Sequence, residues 1–479
     1  HAKRDLANTG STDERNDPVR QMQRYIHDLP IDDWFDARDI AGGKDFASEI
    51  QSGLRNSSVV IAFLTDHYSS RPWCLEEIVM TKSRQPRGPL VVVDALDQGE
   101  SRSFPWLGNA PVVVWKPELS LAACRTILWF ALREALAFQL RTRQLEYTAA
   151  SLLPGQTVMV LPSSPEPADL TTLNPAAAAH GLILYPDPPI ARSELQLLQA
   201  LRPADYITPL GLLARKAAHL HGPKVAVSVS DSAELEQRGL CVLHEQDFTD
   251  EIHLSLLLAR ISILYGGRLE NPVETVGRNF TLRLLDLVRG YGELAQNLET
   301  ELHPIINMPP WPLALTCQAG NFKPSILNLL NGVARIEPGP IPDATEIPQN
   351  GSDGTPLFPD DKELFKLSDT PLRRLAWTRG LSLMRQKSTL ETQARIVMGG
   401  KLQKFSGLYP GVLEEAWWSI VLQRPLYLLG ALGGAGQAVI DLLENRPRPD
   451  LQQALSPDSN QQTRDVLAEA ADRGIVCGP

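Results

Sequence analysis

Six consecutive apolar residues, Val59-Val60-Ile61-Ala62-Phe63-Leu64, constrain the fold of this chain more than any other stretch. A β-branched run of this length without polar alternation fits a strand buried on both faces, as in a parallel sheet covered by helices. Before it, Phe46, Ala47, Ile50 and Leu54 recur at helical spacing, and Asn56-Ser57-Ser58 closes the segment. After it comes Thr65-Asp66-His67-Tyr68-Ser69-Ser70-Arg71-Pro72, in which Ser70 suits a helix N-cap and Pro72 a first turn where its missing N–H costs nothing. The pattern predicts a helix through Trp73 to Ile78, with Glu77 on the same face as Trp73 four residues earlier. A βαβ layout follows, and it puts the Glu77 carboxylate near the carboxyl end of a strand, where doubly wound sheets hold ligands. Glu76 points elsewhere and reads as solvated. Pro89 to Asp94 and Val112 to Val114 predict further strands, QMQRYIHDL a short helix, and Ser120 to Glu146 the helix that closes the first domain.

These residues resemble a TIR domain. The carrying motifs are Phe35-Asp36-Ala37-Arg38-Asp39-Ile40 leading into a Gly-Gly loop, the strand ending in Thr65-Asp66, and Ser69-Ser70-Arg71-Pro72-Trp73-Cys74-Leu75-Glu76-Glu77, in that order. The resemblance covers roughly residues 1 to 145 and implies a flavodoxin-like parallel sheet. In the NAD-hydrolysing members it implies Glu77 as the catalytic residue, with Phe35, Arg38, Asp66, Ser69, Trp73 and Cys74 around the substrate. It also implies self-association, as a homo-oligomer or filament, through the loop Asp36 to Asp45. TIR domains open with a hydrophobic strand, whereas this sequence begins at His1-Ala2-Lys3-Arg4-Asp5, where such a strand would end. The expectation is that the first strand precedes the sequence given.

The chemistry is consistent with a single carboxylate. The nicotinamide of NAD leaves as a neutral base from a cationic one, so cleaving its ribose bond needs no general acid, unlike ordinary glycoside hydrolysis with its two carboxylates. One carboxylate is enough to stabilise an oxocarbenium-like centre or to hold the ribose hydroxyls, while Trp73 or Phe35 supplies a flat packing surface. On the residues alone, a solvated Glu77 and a Trp73 that anchors the core are the usual fates of such side chains. The resemblance favours catalysis. No cofactor beyond NAD as substrate is expected.

A net charge of −10 over 479 residues argues against nucleic-acid partners and against an anionic membrane surface. No run reaches the length of a membrane span, and Ile127 to Leu140 is interrupted by Arg133 and Glu134. Cys74, Cys124, Cys241, Cys317 and Cys477 are odd in number and lack metal-ligand spacing, which favours reduced thiols over disulfides or a metal site. His219 and His221, the closest histidines, sit in a loop-like context and read as surface residues. The default location is cytoplasmic.

From residue 147 the composition turns loop-rich. Residues 147–221 read as a connecting segment, with Leu182 to Tyr185 a strand stopped by prolines. A second strand and helix alternation occupies 222–479, with strands expected at Lys224 to Ser230, Ile261 to Tyr265, Pro312 to Cys317, Ala394 to Met398 and Pro425 to Leu429. Glu337 to Asp361, rich in proline, glycine and aspartate, is expected to be a mobile excursion. Three glycine clusters follow predicted strands: Gly266-Gly267, Gly399-Gly400-Lys401 and Gly430 to Gly434. Glycine there permits close approach of a phosphate, and equally permits tight packing of strand against helix.

These segments resemble the SLOG family of Rossmann-like nucleotide-binding modules, related to the LOG phosphoribohydrolases. The carrying residues are Ser228-Val229-Ser230, Ile263-Leu264-Tyr265-Gly266-Gly267, Asn279-Phe280-Thr281, Arg395 to Gly400 and Pro410-Gly411-Val412-Leu413-Glu414-Glu415-Ala416. The implied nucleotide-binding residues are Ser228, Ser230, Gly266, Gly267, Arg268, Gly399, Gly400, Lys401, Gly411, Glu414, Gly433 and Gly434. LOG enzymes carry PGGxGTxxE, and this chain lacks the second glycine and the threonine. The resemblance therefore implies a sensor that binds a nucleotide, an ADP-ribose derivative in similar pairings, and that switches on NAD depletion in anti-phage defence. The alternatives are a non-catalytic TIR scaffold, and a SLOG half that is itself a phosphoribohydrolase.

Overall fold

The computed structural model describes residues 17–35, 46–65, 68, 72–84, 87–96, 110–171, 181–215, 223–267, 279–288, 305–311, 334–343, 345–351, 354, 356–357, 370–405, 407–456 and 461–476. The chain divides into two compact units, His1–Pro209 and Leu210–Pro479. Both are α/β with parallel sheets.

In the first unit β1 (Val60–Leu64), β2 (Leu90–Asp94) and β3 (Val112–Val114) form a parallel sheet in that order. The central strand is apolar on both faces because both are covered. Val91 and Val93 pack with Met22 and Ile26 of α1 (Pro18–His27) and with Ala123, Cys124, Ile127 and Ala131 of α4 (Ser120–Leu152), while Leu90 and Val92 pack with Ile78 of α3 (Pro72–Lys82). Asp17 caps α1 by accepting from the Val19 amide at 2.9 Å. α2 (Phe46–Asn56) is held to α3 by Arg84, whose guanidinium donates to the carbonyls of Leu54, Arg55 and Ser57 at 2.9–3.1 Å, satisfying the acceptors a helix end leaves open. Trp34 lies across α2 at Gly53, where any Cβ would collide with its indole ring.

α4 runs through residue 146, the expected domain boundary, to Leu152. The segment expected to be a connector holds a second parallel sheet, β4 (Val158–Val160), β5 (Leu182–Leu184) and β6 (Asp205–Ile207), with α5 (Pro167–Thr171) and α6 (Arg192–Leu201). Leu161, Leu170, Ile183, Tyr185, Leu198 and Tyr206 form its core. Of this layer the sequence showed only β5, because β4 and β6, at three residues each, lie in loop-rich stretches and show no readable period.

The second unit opens with α7 (Pro209–Arg215) and contains a six-stranded parallel sheet, β7 (Lys224–Ser230), β8 (Ser262–Tyr265), β9 (Ile305–Asn307), β10 (Ala334–Ile336), β11 (Ala394–Gly399) and β12 (Leu426–Leu429). Their spatial order is β10-β9-β8-β7-β11-β12. The chain thus builds outward from β7 on one side and then crosses to the other, a Rossmann-like arrangement whose switch point lies between β7 and β11. Its helices are α8 (Val242–Leu258), α9 (Phe280–Leu287), α10 (Pro371–Leu390), α11 (Gly411–Val421), α12 (Gly434–Leu443), α13 (Pro449–Leu455) and α14 (Gln461–Asp472). The strand expected at Pro312 to Cys317 lies outside the described residues, and β9 and β10 were not anticipated.

The proline-rich segment also differs from expectation. Ile347 and Leu357 are buried in one cluster with Trp311, Leu375, Ala376 and Val466, and Glu346 holds Arg379 of α10 through two bonds of 2.9 and 3.0 Å. Two isolated apolar residues thus anchor the described part of this segment.

Candidate functional site

α3 carries the Glu77 region and follows β1, so its N-terminal half lies at the carboxyl edge of the first sheet. Trp73 and Cys74 lie in its first turn and Glu77 one turn later. Glu77 is half-buried, its neighbour Glu76 is exposed, and its backbone carbonyl accepts from Thr81 Oγ1 at 2.7 Å, which reinforces the helix just beyond it. Tyr68 packs against the same turn, donating its hydroxyl to the Cys74 carbonyl at 3.3 Å. Burial raises the Tyr68 phenol far above its usual range, and the charges of Cys74 and Glu77 push it the same way. The phenol thus feels the Glu77 charge while its hydroxyl is bonded to the backbone of the same turn. Sequence reasoning missed Tyr68.

Cys74 is 2% exposed and belongs to the interior. The sequence proposed it as a substrate contact, and its burial assigns it to packing. Phe35 is half-buried beside Trp34. Arg38, Asp66, Ser69 and the Asp36 to Asp45 loop lie outside the described residues.

Behind Glu77 the same helix is anchored by a buried ionic cluster. Lys82, in its last turn, lies 2.9 Å from Glu166. Arg87 reaches Glu166 at 2.8 Å, Asp169 at 3.2 Å and the Ser163 hydroxyl at 2.6 Å. Asp169 also accepts from the Glu166 amide at 2.7 Å. Burial raises the Asp169 pKa, with Arg87 opposing. Glu166 and Asp169 come from the loop and short helix after β4, so the second sheet grips the end of the helix that carries Glu77.

In the second unit the carboxyl ends of β7 and β11 meet at the switch point. Gly399 pairs with Ser230, the Gly400 amide donates to the Ser230 carbonyl at 2.7 Å, and the Ala435 amide donates to the Gly400 carbonyl at 3.0 Å. Lys401 lies 3.2 Å from Asp231 and is about half exposed. Ser230, Gly399, Gly400, Lys401 and Gly434 are thereby brought together. Gly399 and Gly400 have φ of +58° and +101°, which favour glycine, and their space is already filled. A Cβ on Gly399 would meet the Ser230 carbonyl oxygen at 2.6 Å, and one on Gly400 would meet Val412 and Ala435 at 2.9 Å. Close packing by itself accounts for these two glycines. Gly433 is covered by Glu234 and Arg238, each 2.7 Å from where its Cβ would be, and Gly267 is filled by Tyr265 and Thr281. Gly266 is half-buried against Met384, and Arg268 lies outside the described residues.

Two predicted binding residues are spent inside the unit. Ser228 is 3% exposed and accepts from Arg395 Nη1 at 2.7 Å. Arg395 also donates to Ser388, Thr389, Glu415 and Ser419 at 2.8–3.1 Å, so all five of its N–H groups are used. Glu414 is 2% exposed and is paired with Arg385 and Ser382, and Gly411 lies against the same Arg385. An arginine inside the otherwise apolar strand Ala394–Gly399 was the sequence signal for this network. Beside Glu414 opens a narrow cleft lined by Leu375, Thr378, Arg379, Ser382, Leu408 and Tyr409. Among the described residues no group of three or more His, Cys, Asp and Glu is placed to hold a metal, and no helix is long and apolar enough to cross a membrane.

A family model for the TIR domain matches residues 11–135, and the model for SLOG cluster2 matches residues 219–476. Comparison with curated proteins gives no match.

Proposed function

The chain belongs to the SLOG cluster2 family and carries a TIR domain ahead of its SLOG domain, and we propose that it is an NAD-cleaving effector switched by a nucleotide. The observation that carries this reading is the half-buried Glu77 on the helix after β1 of a TIR domain, one turn beyond Trp73. In this reading Glu77 stabilises the positive charge that develops on the ribose as nicotinamide leaves, and Phe35 and Trp73 pack on the flat rings. The SLOG domain binds the activating nucleotide, an ADP-ribose derivative, at the switch point where Lys401 offers a cation, and it does not cleave it. The burial of Glu414 against Arg385 supports binding over hydrolysis there. Activation means that the nucleotide binds the active state more tightly than the resting one. The biological role in this reading is NAD depletion in anti-phage defence, in the cytoplasm.

The test is to incubate the full chain with NAD, with and without a panel of cyclic ADP-ribose isomers, and to resolve nicotinamide, ADP-ribose and cyclised products by chromatography. Nicotinamide release that rises with one isomer and falls on the order of a hundredfold or more in Glu77→Gln is expected. Turnover unchanged in Glu77→Gln would sink the catalytic assignment, and no turnover under any condition would favour a scaffold.

A further inference from the structure

The loop that follows β7 carries two carboxylates, and each is held by a cation at the switch point of the second unit. Asp231 lies 3.2 Å from Lys401 Nζ. Glu234 accepts from Arg448 Nη2 at 2.9 Å through one oxygen and from Arg238 Nη2 at 3.0 Å through the other. The same Arg238 donates to the Gly430 carbonyl at 3.2 Å, and Glu234 and Arg238 together close over Gly433. Gly434 packs directly on Gly400, where a Cβ would meet the Gly400 carbonyl oxygen at 2.3 Å. Lys401 follows one of these glycines and the residue under Arg238 precedes the other, so the two cationic positions adjoin. Doubly wound sheets hold anionic ligands at such a point. Here the chain fills it with its own anions. The fold of the loop does not depend on them, because Leu235 is 4% exposed and its carbonyl accepts from the Leu240 amide at 2.8 Å. Arg448 does not depend on Glu234 either, since it also holds Asp441 at 3.1 Å and Asp450 at 2.7 Å.

Resting on the nucleotide reading of this unit, we propose that Asp231 and Glu234 stand in for the two phosphates of a diphosphate ester. Lys401 takes one phosphate and Arg238 with Arg448 the other, and the ligand enters by displacing both carboxylates. An arginine fork accepts a phosphate in the geometry it offers a carboxylate, so the exchange replaces one charge-assisted pair with another. The freed carboxylates move into water. Only molecules with the loop open can bind, so the closed loop weakens the apparent affinity in proportion to the time it stays closed. The loop ends at Cys241, the N-cap of α8, and its opening therefore begins at the first turn of that helix. A monophosphate can replace one carboxylate and leaves the other on its cation.

The test is calorimetry on the full chain, with ADP-ribose and the cyclic ADP-ribose isomers as diphosphates and AMP as a monophosphate. Glu234→Gln keeps the size of the side chain and leaves Arg448 two carboxylates. It is expected to keep the wild-type melting temperature and to bind the best diphosphate on the order of tenfold more tightly. Asp450→Asn takes a different carboxylate from the same arginine and is expected to change that affinity by less than about threefold. Lys401→Ala and Arg238→Ala are each expected to weaken the diphosphate on the order of tenfold, whereas AMP is weakened by only one of them. Diphosphate binding that Glu234→Gln leaves unchanged or weakens would overturn the displacement and leave the nucleotide reading standing. AMP weakened equally by both cation variants would mean a single shared phosphate position, and would overturn it too. If neither wild type nor Glu234→Gln binds any of these probes, the nucleotide reading itself fails and the displacement falls with it.

Discussion

Lys82 Nζ lies 2.9 Å from Glu166 Oε2, across 84 residues of sequence, and both side chains are at most a tenth exposed. This pair ties the helix of Glu77 to the second sheet of the same unit. Removing one member of such a cluster strands its partners in a medium that solvates them poorly, at a cost of about 3–5 kcal/mol. Glu166→Ala is therefore expected to destabilise the first unit by that order, seen as a lower denaturant midpoint, and to speed amide exchange in residues 72–82, with Glu166→Gln intermediate. Wild-type exchange along this helix in Glu166→Ala would show that the cluster does not hold it.

Gly400→Asp would place a charge near the proposed phosphate site, but the packing around Gly400 makes it a poor probe of ligand binding. With φ at +101° and Val412 and Ala435 at 2.9 Å from its absent Cβ, even Gly400→Ala is expected to cost about 1–3 kcal/mol without ligand. Lys401→Ala is the cleaner test. Its stability should stay within about 0.5 kcal/mol of wild type, while calorimetry should show weaker binding of the activating nucleotide. Unchanged affinity would move the phosphate site away from Lys401.

Arg395 is satisfied by five side chains inside the second unit. Arg395→Lys keeps the charge but offers three donors on a flexible stem, so two acceptors are left open. A loss of about 2–4 kcal/mol in urea unfolding is expected, and a stability equal to wild type would mean that the network reorganises freely.

His253, on α8, is 1% exposed, and neither ring nitrogen has a hydrogen-bond partner among the described residues. Burial holds its pKa down at about 3, against about 6.5 in an unfolded chain. Between these values the unfolded state binds a proton that the folded state refuses, so stability is full above about pH 6.5 and drains as pH falls toward 3. The slope approaches about 1.4 kcal/mol per pH unit. His253→Leu should show less acid loss than wild type when urea midpoints at pH 7 and pH 5 are compared. Equal losses in both proteins would assign the effect to other groups.

Legibility in the sequence followed element length and range. β7, β11 and β12, four to seven residues long and apolar, were readable to within about a residue, as were β1 and β2, whereas the helices beside them were placed correctly but with ends off by up to six residues. β4, β6, β9 and β10 have three residues each, too few for any period to register, and of the equally short strands only β3 and β5 were legible, as apolar runs beside prolines. At the candidate site, local chemistry placed Glu77 on its helix, because the cap and the tryptophan spacing are short-range signals. Tyr68 and the Lys82–Glu166 pair were invisible, because what defines them is proximity across the fold. Ser228 and Glu414 were read as ligand contacts from motif position, and only the three-dimensional arrangement shows them engaged by Arg395 and Arg385.

The continuity of α4 makes it a ruler with a fixed phase. At 33 residues it is about 50 Å long, and it seats Ala131 on one sheet and Leu145 near the next. One residue inserted between them would turn everything downstream by about 100° and advance it about 1.5 Å, carrying Leu145 off its sheet. Seven inserted residues would restore the phase to within about 20°, yet add about 10 Å between the sheets. Length variation in this protein is therefore expected in its loops and not in this helix, and insertions of one and of seven residues read by thermal melting should both show a loss, the first from phase and the second from added length.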